Sequence, residues 1–388
     1  MSKLRNFCPL PFVSVEATPM GKARACCLST EDIPDIDLRH NTLTEAFNSK
    51  YMDDMREQFI NNEQPGSCQR CWSEEAAGRT SKRMHSENKL RSLGIDTANI
   101  WPPKLQFLDL KLGNICNLKC RICGSFSSSK WAAEEIAMYS KNQSARNNLT
   151  NGRWVRESPL FWEDLGELVK DIKYFEFTGG EPFLIDEHFD LLATIVMTGY
   201  AQNIEIHYNT NTTVIPKLGL ELWPHFKRVE IALSIDDIGD RFEYQRYGAK
   251  WKETLDNLDK FKKLRRESNN VTLQLCVTVN ALNIYYLDEL CAWMPRQKFN
   301  FVYFNMLHSA EHFCIKNLND RAKDLINEKY SDYTGPYAED IRNILNFMNQ
   351  GEGSDCSKLV NVLKSSDEQR GQRFSDSHPE MATAIGYI

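Results

Sequence analysis

Six short apolar runs rich in β-branched and aromatic residues recur along the middle of the chain, at 105–112, 174–178, 204–210, 228–235, 271–279 and 299–306. Between them lie segments with helical periodicity, at 127–139, 186–197, 250–266 and 284–293. Near-continuous apolar strands separated by helices predict an α/β fold with a parallel sheet covered on both faces. Six such units suit a curved, partial (β/α)6 barrel over 104–310 better than a closed eight-fold one. In that architecture the chemistry belongs at the C-terminal ends of the strands. Most strand side chains are then simple core, and the informative residues are the polar ones at the strand ends.

The flanks read differently. Two apolar pieces, 12–17 and a run through Ala25, bracket Thr18-Pro-Met-Gly21, a hairpin-turn sequence. A helix is predicted at 43–61, followed by the knuckle Cys68-Gln-Arg-Cys71, so 1–95 is expected to form a small α+β domain ahead of the barrel. Trp101-Pro-Pro103 marks the boundary. Beyond 310 the chain turns helical and polar, with a break at Gly351-Glu-Gly-Ser, and 311–388 is expected as a helical C-terminal extension.

Composition narrows the class. With 388 residues, 41% hydrophobic and 26% charged, the chain has the make-up of an ordinary soluble globular protein of two or three domains. A net charge of -6 argues against tight nucleic-acid binding. No stretch approaches the length of a membrane span and the start lacks a signal-peptide core, so a cytoplasmic location without membrane attachment is expected. In that reducing compartment the 12 cysteines read as metal ligands or small buried side chains, not as a disulfide frame.

The strongest chemical signal is Cys116-Asn-Leu-Lys-Cys120-Arg-Ile-Cys123, directly after the first barrel strand. This spacing places three thiolates on one short loop, able to bind three irons of a [4Fe–4S] cube and leave the fourth open. Soft thiolates at close spacing select iron–sulfur clusters or zinc. Zinc asks for a fourth protein ligand nearby, and no Cys or His follows before His188. The second strand ends in Phe177-Thr-Gly-Gly-Glu-Pro182. Its paired glycines let the backbone bend sharply and approach a ligand. Their carbonyls, with Glu181, can accept hydrogen bonds from an ammonium group.

With these two strand ends, the chain resembles the radical S-adenosylmethionine (SAM) enzymes over roughly 104–310. The resemblance implies that the amino and carboxylate groups of SAM chelate the open iron. An electron from the cluster then breaks a C–S bond, and a 5′-deoxyadenosyl radical abstracts a substrate hydrogen. It also implies cluster ligation by Cys116, Cys120 and Cys123 and amine binding at Gly179, Gly180, Glu181 and Pro182. Ser234 and Asp236 match the ribose-contacting positions, and Arg246 a position that pairs with the SAM carboxylate. Asn209 and Asn211 end the third strand and are expected to face the same pocket. Ile122 stands where the family more often has an aromatic, and is expected to pack on the adenine. The ordinary uses of these residues are a helix cap for Ser234 and Asp236 and a surface pair with Glu243 for Arg246.

A second cysteine set, Cys8, Cys26, Cys68 and Cys71, would fully ligate an iron–sulfur cluster or a structural zinc, which spacing alone does not separate. The segment 8–71, including Leu43-Thr-Glu-Ala-Phe-Asn-Ser and Met55-Arg56, resembles the SPASM/Twitch auxiliary-cluster module, which in most relatives follows the barrel. The resemblance implies one auxiliary [4Fe–4S] cluster, with Cys26 rather than Cys27 as the ligand. Cys276 and Cys291 are expected as small core residues, Cys356 as inert in a polar loop, and Cys314 as a candidate hydrogen donor near the barrel mouth. The basic stretch from Arg79 reads as a solvated helix face or a docking face for a flavodoxin- or ferredoxin-type electron donor. Asp367 and Arg370 are expected to pair within an ordered cap.

The implied activity is reductive cleavage of SAM and hydrogen abstraction from carbon, an oxidoreductase or peptide-modifying chemistry. A peptide or protein substrate is favoured because much of the SPASM/Twitch group modifies such chains, and the polar insertion 140–153 is expected to help hold one. The alternative is a dehydrogenase or epimerase of a small molecule such as a sugar or aminocyclitol. Outside that class stands a non-catalytic iron–sulfur scaffold or redox sensor, which has no need of the Gly179–Pro182 turn.

Overall fold

The computed structural model describes residues 4–76, 80–138 and 141–388. Arg79, Tyr139 and Ser140, which bound three of the expected segments, lie outside the described residues. Among the described residues eight strands are formed: β1 (Ser14–Ala17), β2 (Ala23–Arg24), β3 (Phe107–Leu110), β4 (Tyr174–Phe177), β5 (Glu205–Thr210), β6 (Arg228–Ser234), β7 (Val271–Val279) and β8 (Phe301–Met306). They make one sheet in the order β2-β1-β3-β4-β5-β6-β7-β8. Only β1 and β2 are antiparallel; every other neighbouring pair is parallel. All six strands expected from the apolar runs are present, neighbours in sequence order, as in an open (β/α) barrel.

The hairpin is where the architecture departs from the pattern reading. Expected inside a separate small unit, it joins the barrel's sheet: β1 pairs with β3 from Ser14↔Phe107 to Ala17↔Leu110. Without β1, the first barrel strand would present a row of unpaired backbone groups. The helix expected at 43–61 is divided into Leu43–Phe47 and Lys50–Ile60. Thr42 and Glu45 form a capping box for the first, and Ser49 accepts from Met52 N to start the second. A Ser side chain that caps a new helix competes with continuing the old one. The insertion carries the helix Gln143–Asn151. The C-terminal extension is helical as expected, with Gly351–Ser354 lying between Ala338–Asn349 and Ser357–Arg370.

Strand alternation sorts the side chains onto two faces. Leu108, Phe175, Phe177, Ile206, Tyr208, Val229 and Ile231 are buried on the face that meets the covering helices. His188, on the helix Asp186–Met197, packs its ring against Phe177 and Tyr208 at 4.9 and 5.7 Å. The opposite face is not apolar. Register places Glu16, Asp109, Glu176, His207, Glu230 and Thr272 side by side in one row across six strands. Lys111 pairs with Glu16 and Asp109 at 2.7 and 2.9 Å, and Lys82 with Glu176 at 3.2 Å. Lys89 reaches Glu205 and Glu230 at 3.0 and 3.4 Å. The helix Lys82–Ser92 therefore lies against the charged face, with its lysines matching the carboxylates.

Candidate active site

The loop after β3 has no regular structure, yet it is held on all sides. Lys119 N and Arg121 N donate to the carbonyls of Tyr247 and Gln245 at 2.9 and 2.8 Å, lacing it to the chain that follows β6. Ser128 Oγ donates to Leu118 O and Trp131 Nε1 to Cys120 O, both at 2.7 Å. Arg121 is buried, donates from Nε to Tyr244 O at 3.0 Å, stacks 3.7 Å over the Tyr244 ring and pairs with Asp367 at 2.6 Å. A ligand loop fixed in this way is preorganised rather than ordered on binding.

The thiols of this loop are electrostatically unfavourable as they stand. Burial and then repulsion from Cys120 push Cys116 and Cys123 up to about 12. Cys120 is also raised by burial, while Arg246 opposes the rise. Three thiolates held on one loop require a cationic partner, which the iron of a cluster would supply. Buried donors complete the fit: Arg121 Nη1, Arg246 Nε, and Arg370 Nε and Nη1 have no hydrogen-bond partner in the protein. Such N–H groups match the anionic sulfur surface of a [4Fe–4S] cluster.

The Gly-Gly-Glu turn after β4 packs onto this loop. Glu181 N donates to Ile115 O at 2.7 Å. Gly180 has φ +45°, and a Cβ there would stand 2.4 Å from Ile115 O. Gly179 has φ +72°, and its Cβ would fall 2.8 Å from Lys111 Cβ. Neither position has room for a side chain. The Glu181 carboxylate is fully buried and accepts from Thr210 Oγ1 at 2.8 Å, Asn211 N at 2.7 Å and Phe183 N at 3.2 Å. Burial pushes it up to about 7, and its bonds tie the ends of β4 and β5 together. Pro182 begins the single turn Pro182–Leu184.

The remaining expected residues gather around the same strand ends. Asn211 Nδ2 points at Cys116 Sγ, 3.9 Å away, and donates to Asn117 Oδ1 at 2.9 Å. Asp236 Oδ1 accepts from Thr278 N at 2.8 Å, and its Oδ2 pairs with Arg246 Nη2 at 2.6 Å. Arg246 Nη1 lies 4.0 Å from Cys120 Sγ. The ordinary alternatives do not apply, because Glu243 pairs with Lys250 at 2.9 Å and the helix Gly239–Gln245 is preceded by Ile238 rather than by Ser234 or Asp236. Asn209 Oδ1 accepts from Tyr303 Oη at 3.1 Å. Ser234 stands beside Cys276, which stands beside Tyr303. Ile122 is half-buried against the core.

Several residues lie where the sequence did not put them. Cys276, expected as plain core, shares a face with Ser234, and Tyr303, Asp236 and Arg246 all act on its thiol. Cys314, the expected hydrogen donor, is buried between two single-turn helices, Glu311–Phe313 and Ile315–Asn317, on the side of Lys323. Cys291 is fully buried core, as expected. Cys356 is buried rather than looped out, and its Sγ accepts from Asn319 N at 3.3 Å. Asp367 and Arg370 do not pair with each other: Asp367 holds Arg121, and Arg370 holds Glu134 at 2.7 Å. Nothing local marks these two, since their partners lie 246 and 236 residues away.

Cys8, Cys26, Cys68 and Cys71 line one pocket with Leu10, Phe59 and Trp72. Burial first, with repulsion from the neighbouring cysteines contributing, pushes Cys26 up to about 12 and Cys68 to about 11 and raises Cys8, while burial and then Glu74 and Glu75 raise Cys71. Cys27 lies instead near Lys82, Asp109 and Lys111, on the charged face. Among the described residues no three His, Cys, Asp or Glu side chains converge as ligands of a single ion. Among the described residues no helix is long and apolar enough to cross a membrane.

Residues 110–291 match the Radical SAM superfamily. No curated protein matches the chain. Among solved structures it is similar to native anSMEcpe with bound AdoMet and Cp18Cys peptide, at 14% identity over 64% of this chain and 62% of that one, with a TM-score of 0.38. It is also similar to Streptococcus suis SuiB bound to precursor peptide SuiA, at 15% identity over 78% and 64%, with a TM-score of 0.35. A third is TYW1 with a lysine-pyruvate adduct bound, at 14% identity over 58% and 71%, with a TM-score of 0.30. The chain spans less than two-thirds of the length of the first two.

Proposed function

Residues 110–291 are a radical SAM domain, and on that premise we propose that the protein abstracts hydrogen from carbon in a peptide or protein substrate, with a second [4Fe–4S] cluster on Cys8, Cys26, Cys68 and Cys71. When bound, the cluster and SAM supply a 5′-deoxyadenosyl radical that takes the substrate hydrogen. The protein's own residues bind and orient. Cys116, Cys120 and Cys123 would hold the cluster. The carbonyls of Gly179 and Gly180 would receive the SAM amine, in a turn where a Cβ has no room. Arg246, buried between Cys120 and Asp236, would meet the SAM carboxylate, leaving Asp236 and Ser234 for the ribose. Ile122 would flank the adenine.

The observation that carries the reading is the convergence of the thiol loop, the glycine turn and the Asp236–Arg246 pair at one end of one sheet. The peptide assignment is supported by the second thiol pocket, with its resemblance to the SPASM/Twitch module. A small-molecule epimerase is the second reading, favoured by the Cys276 thiol beside Tyr303, a geometry suited to returning a hydrogen atom.

The test is anaerobic reconstitution followed by dithionite and SAM. Wild type should bind about eight irons and form 5′-deoxyadenosine; the Cys116→Ala, Cys120→Ala, Cys123→Ala variant should keep about four and form none. Fully loaded wild type that forms no 5′-deoxyadenosine would reject the enzyme in favour of a scaffold or sensor. Electron delivery by a flavodoxin or ferredoxin is expected to replace dithionite.

A further inference from the structure

The helix Ser357–Arg370 ends in a side chain that the proposed reaction leaves without a task. The Arg370 side chain is 1% exposed and pairs through Nη2 with Glu134 at 2.7 Å. Its guanidinium lies between two rings, 4.6 Å from the Trp131 centroid and 4.7 Å from that of Tyr247. Nε and Nη1 have no partner in the protein. A buried, charged donor left without an acceptor is costly, so such groups mark a missing partner.

Everything that frames Arg370 also frames the cluster loop. Trp131 donates to Cys120 O at 2.7 Å, and Tyr247 O accepts from Lys119 N at 2.9 Å. Glu134 pairs with Lys119 as well. One helical turn earlier, Asp367 holds Arg121, the residue after Cys120. The C-terminal extension thus delivers a guanidinium to the middle of the three-cysteine motif. Among the groups acting on the Cys120 thiol, Arg246 and Arg370 are the two cations. Arg246 is matched at 2.6 Å by the buried Asp236, whereas the Glu134 carboxylate is shared between Arg370 and Lys119. Arg370 therefore keeps more uncompensated charge for the loop.

We propose that Arg370 is a positioning residue for the cluster on Cys116, Cys120 and Cys123, directing its two free N–H groups at cluster sulfur on the Cys120 side and raising the cluster's reduction potential. This rests on the radical SAM reading of the loop. Reduction adds one negative charge to the cluster. A fixed cation and N–H···S bonds in a dry pocket stabilise that extra charge more than the oxidised state.

The experiment is an anaerobic redox titration of the full chain, followed by electron paramagnetic resonance of the signal that changes on adding SAM, with iron content measured in parallel. Arg370→Gln should lower the reduced-to-oxidised ratio at a given solution potential about tenfold, about 59 mV for one electron. Arg370→Lys should recover part of the shift, keeping the charge but not the paired donors. Glu134→Gln, with Arg370 in place and one opposing charge fewer, should move the potential upward. A wild-type potential in Arg370→Gln at wild-type iron content overturns the inference. Should Arg370→Gln fail to fold, an unmoved or lower potential in Glu134→Gln overturns it instead. A wild type with no SAM-responsive signal defeats the radical SAM reading itself, a result distinct from an unmoved potential.

Discussion

Asp367→Asn is the most informative single perturbation of this fold. The Asp367 carboxylate accepts from Arg121 Nη2 at 2.6 Å, Tyr244 Oη at 2.9 Å, Tyr387 Oη at 2.8 Å and Phe374 N at 2.8 Å. Its side chain is 4% exposed and that of Arg121 is 1% exposed, so the pair is dry. Removing the charge leaves a buried guanidinium uncompensated, which costs about 3–5 kcal/mol. Two features pull the estimate to the lower end: Gln372 Oε1 also accepts from Arg121 at 2.9 Å, and the guanidinium stays stacked on Tyr244. A loss of about 3 kcal/mol is therefore expected, a large share of the ~5–15 kcal/mol of an ordinary domain. Arg121 sits between Cys120 and Ile122, so the loss falls on the cluster loop and not on the distant cysteine pocket. Anaerobically reconstituted Asp367→Asn should keep about four of about eight irons and lose 5′-deoxyadenosine formation. Chemical denaturation should give the energy. Wild-type iron with a stability change under ~1 kcal/mol would refute the reasoning, since buried pairs do not break that cheaply.

Three further outcomes follow from the same geometry. Gly180→Ala forces a Cβ to within 2.4 Å of Ile115 O at a residue with φ +45°; the turn must lift off the loop, and 5′-deoxyadenosine formation should fall at least about tenfold, since ~1.4 kcal/mol of lost transition-state binding already gives that. Cys68→Ala with Cys71→Ala should remove about four irons while the SAM-responsive resonance survives; loss of both signals would show that the two pockets do not load independently. His188 is fully buried, and burial lowers it to about 4. The unfolded chain therefore takes up this proton first as pH falls from about 6.5, and stability should drop by about 3 kcal/mol between there and pH 4. Denaturation midpoints of wild type and His188→Asn across that range check this; parallel pH profiles would contradict it.

What could be seen in the sequence was what short spacing controls. Apolar runs at 174–178, 228–235 and 271–279 became β4, β6 and β7 within a residue at either end, because a strand buried on a helix-covered face must be apolar wherever it lies. Three cysteines within eight residues share a loop whatever the remainder of the chain does, and a Gly-Gly pair after a strand announces a bend without side chains. The grouping of the three thiols on one loop could therefore be read locally, as could the helix Asp186–Met197.

The tertiary structure alone decided what depends on closing the sheet. Strand register put Glu16, Asp109, Glu176, His207 and Glu230 in one row; along the chain they are isolated polar residues scattered over more than 200 residues. The same register turned Cys276 toward Ser234, away from the plain core expected of it, and drew β1 onto the edge of β3. Asp367 and Arg370, three apart on one helix, have the spacing of a local ion pair. Desolvated charges in three dimensions overrode that spacing. Arg121 and Arg370 are buried cations, and a dry ion finds whatever carboxylate the fold brings within reach, regardless of separation along the chain.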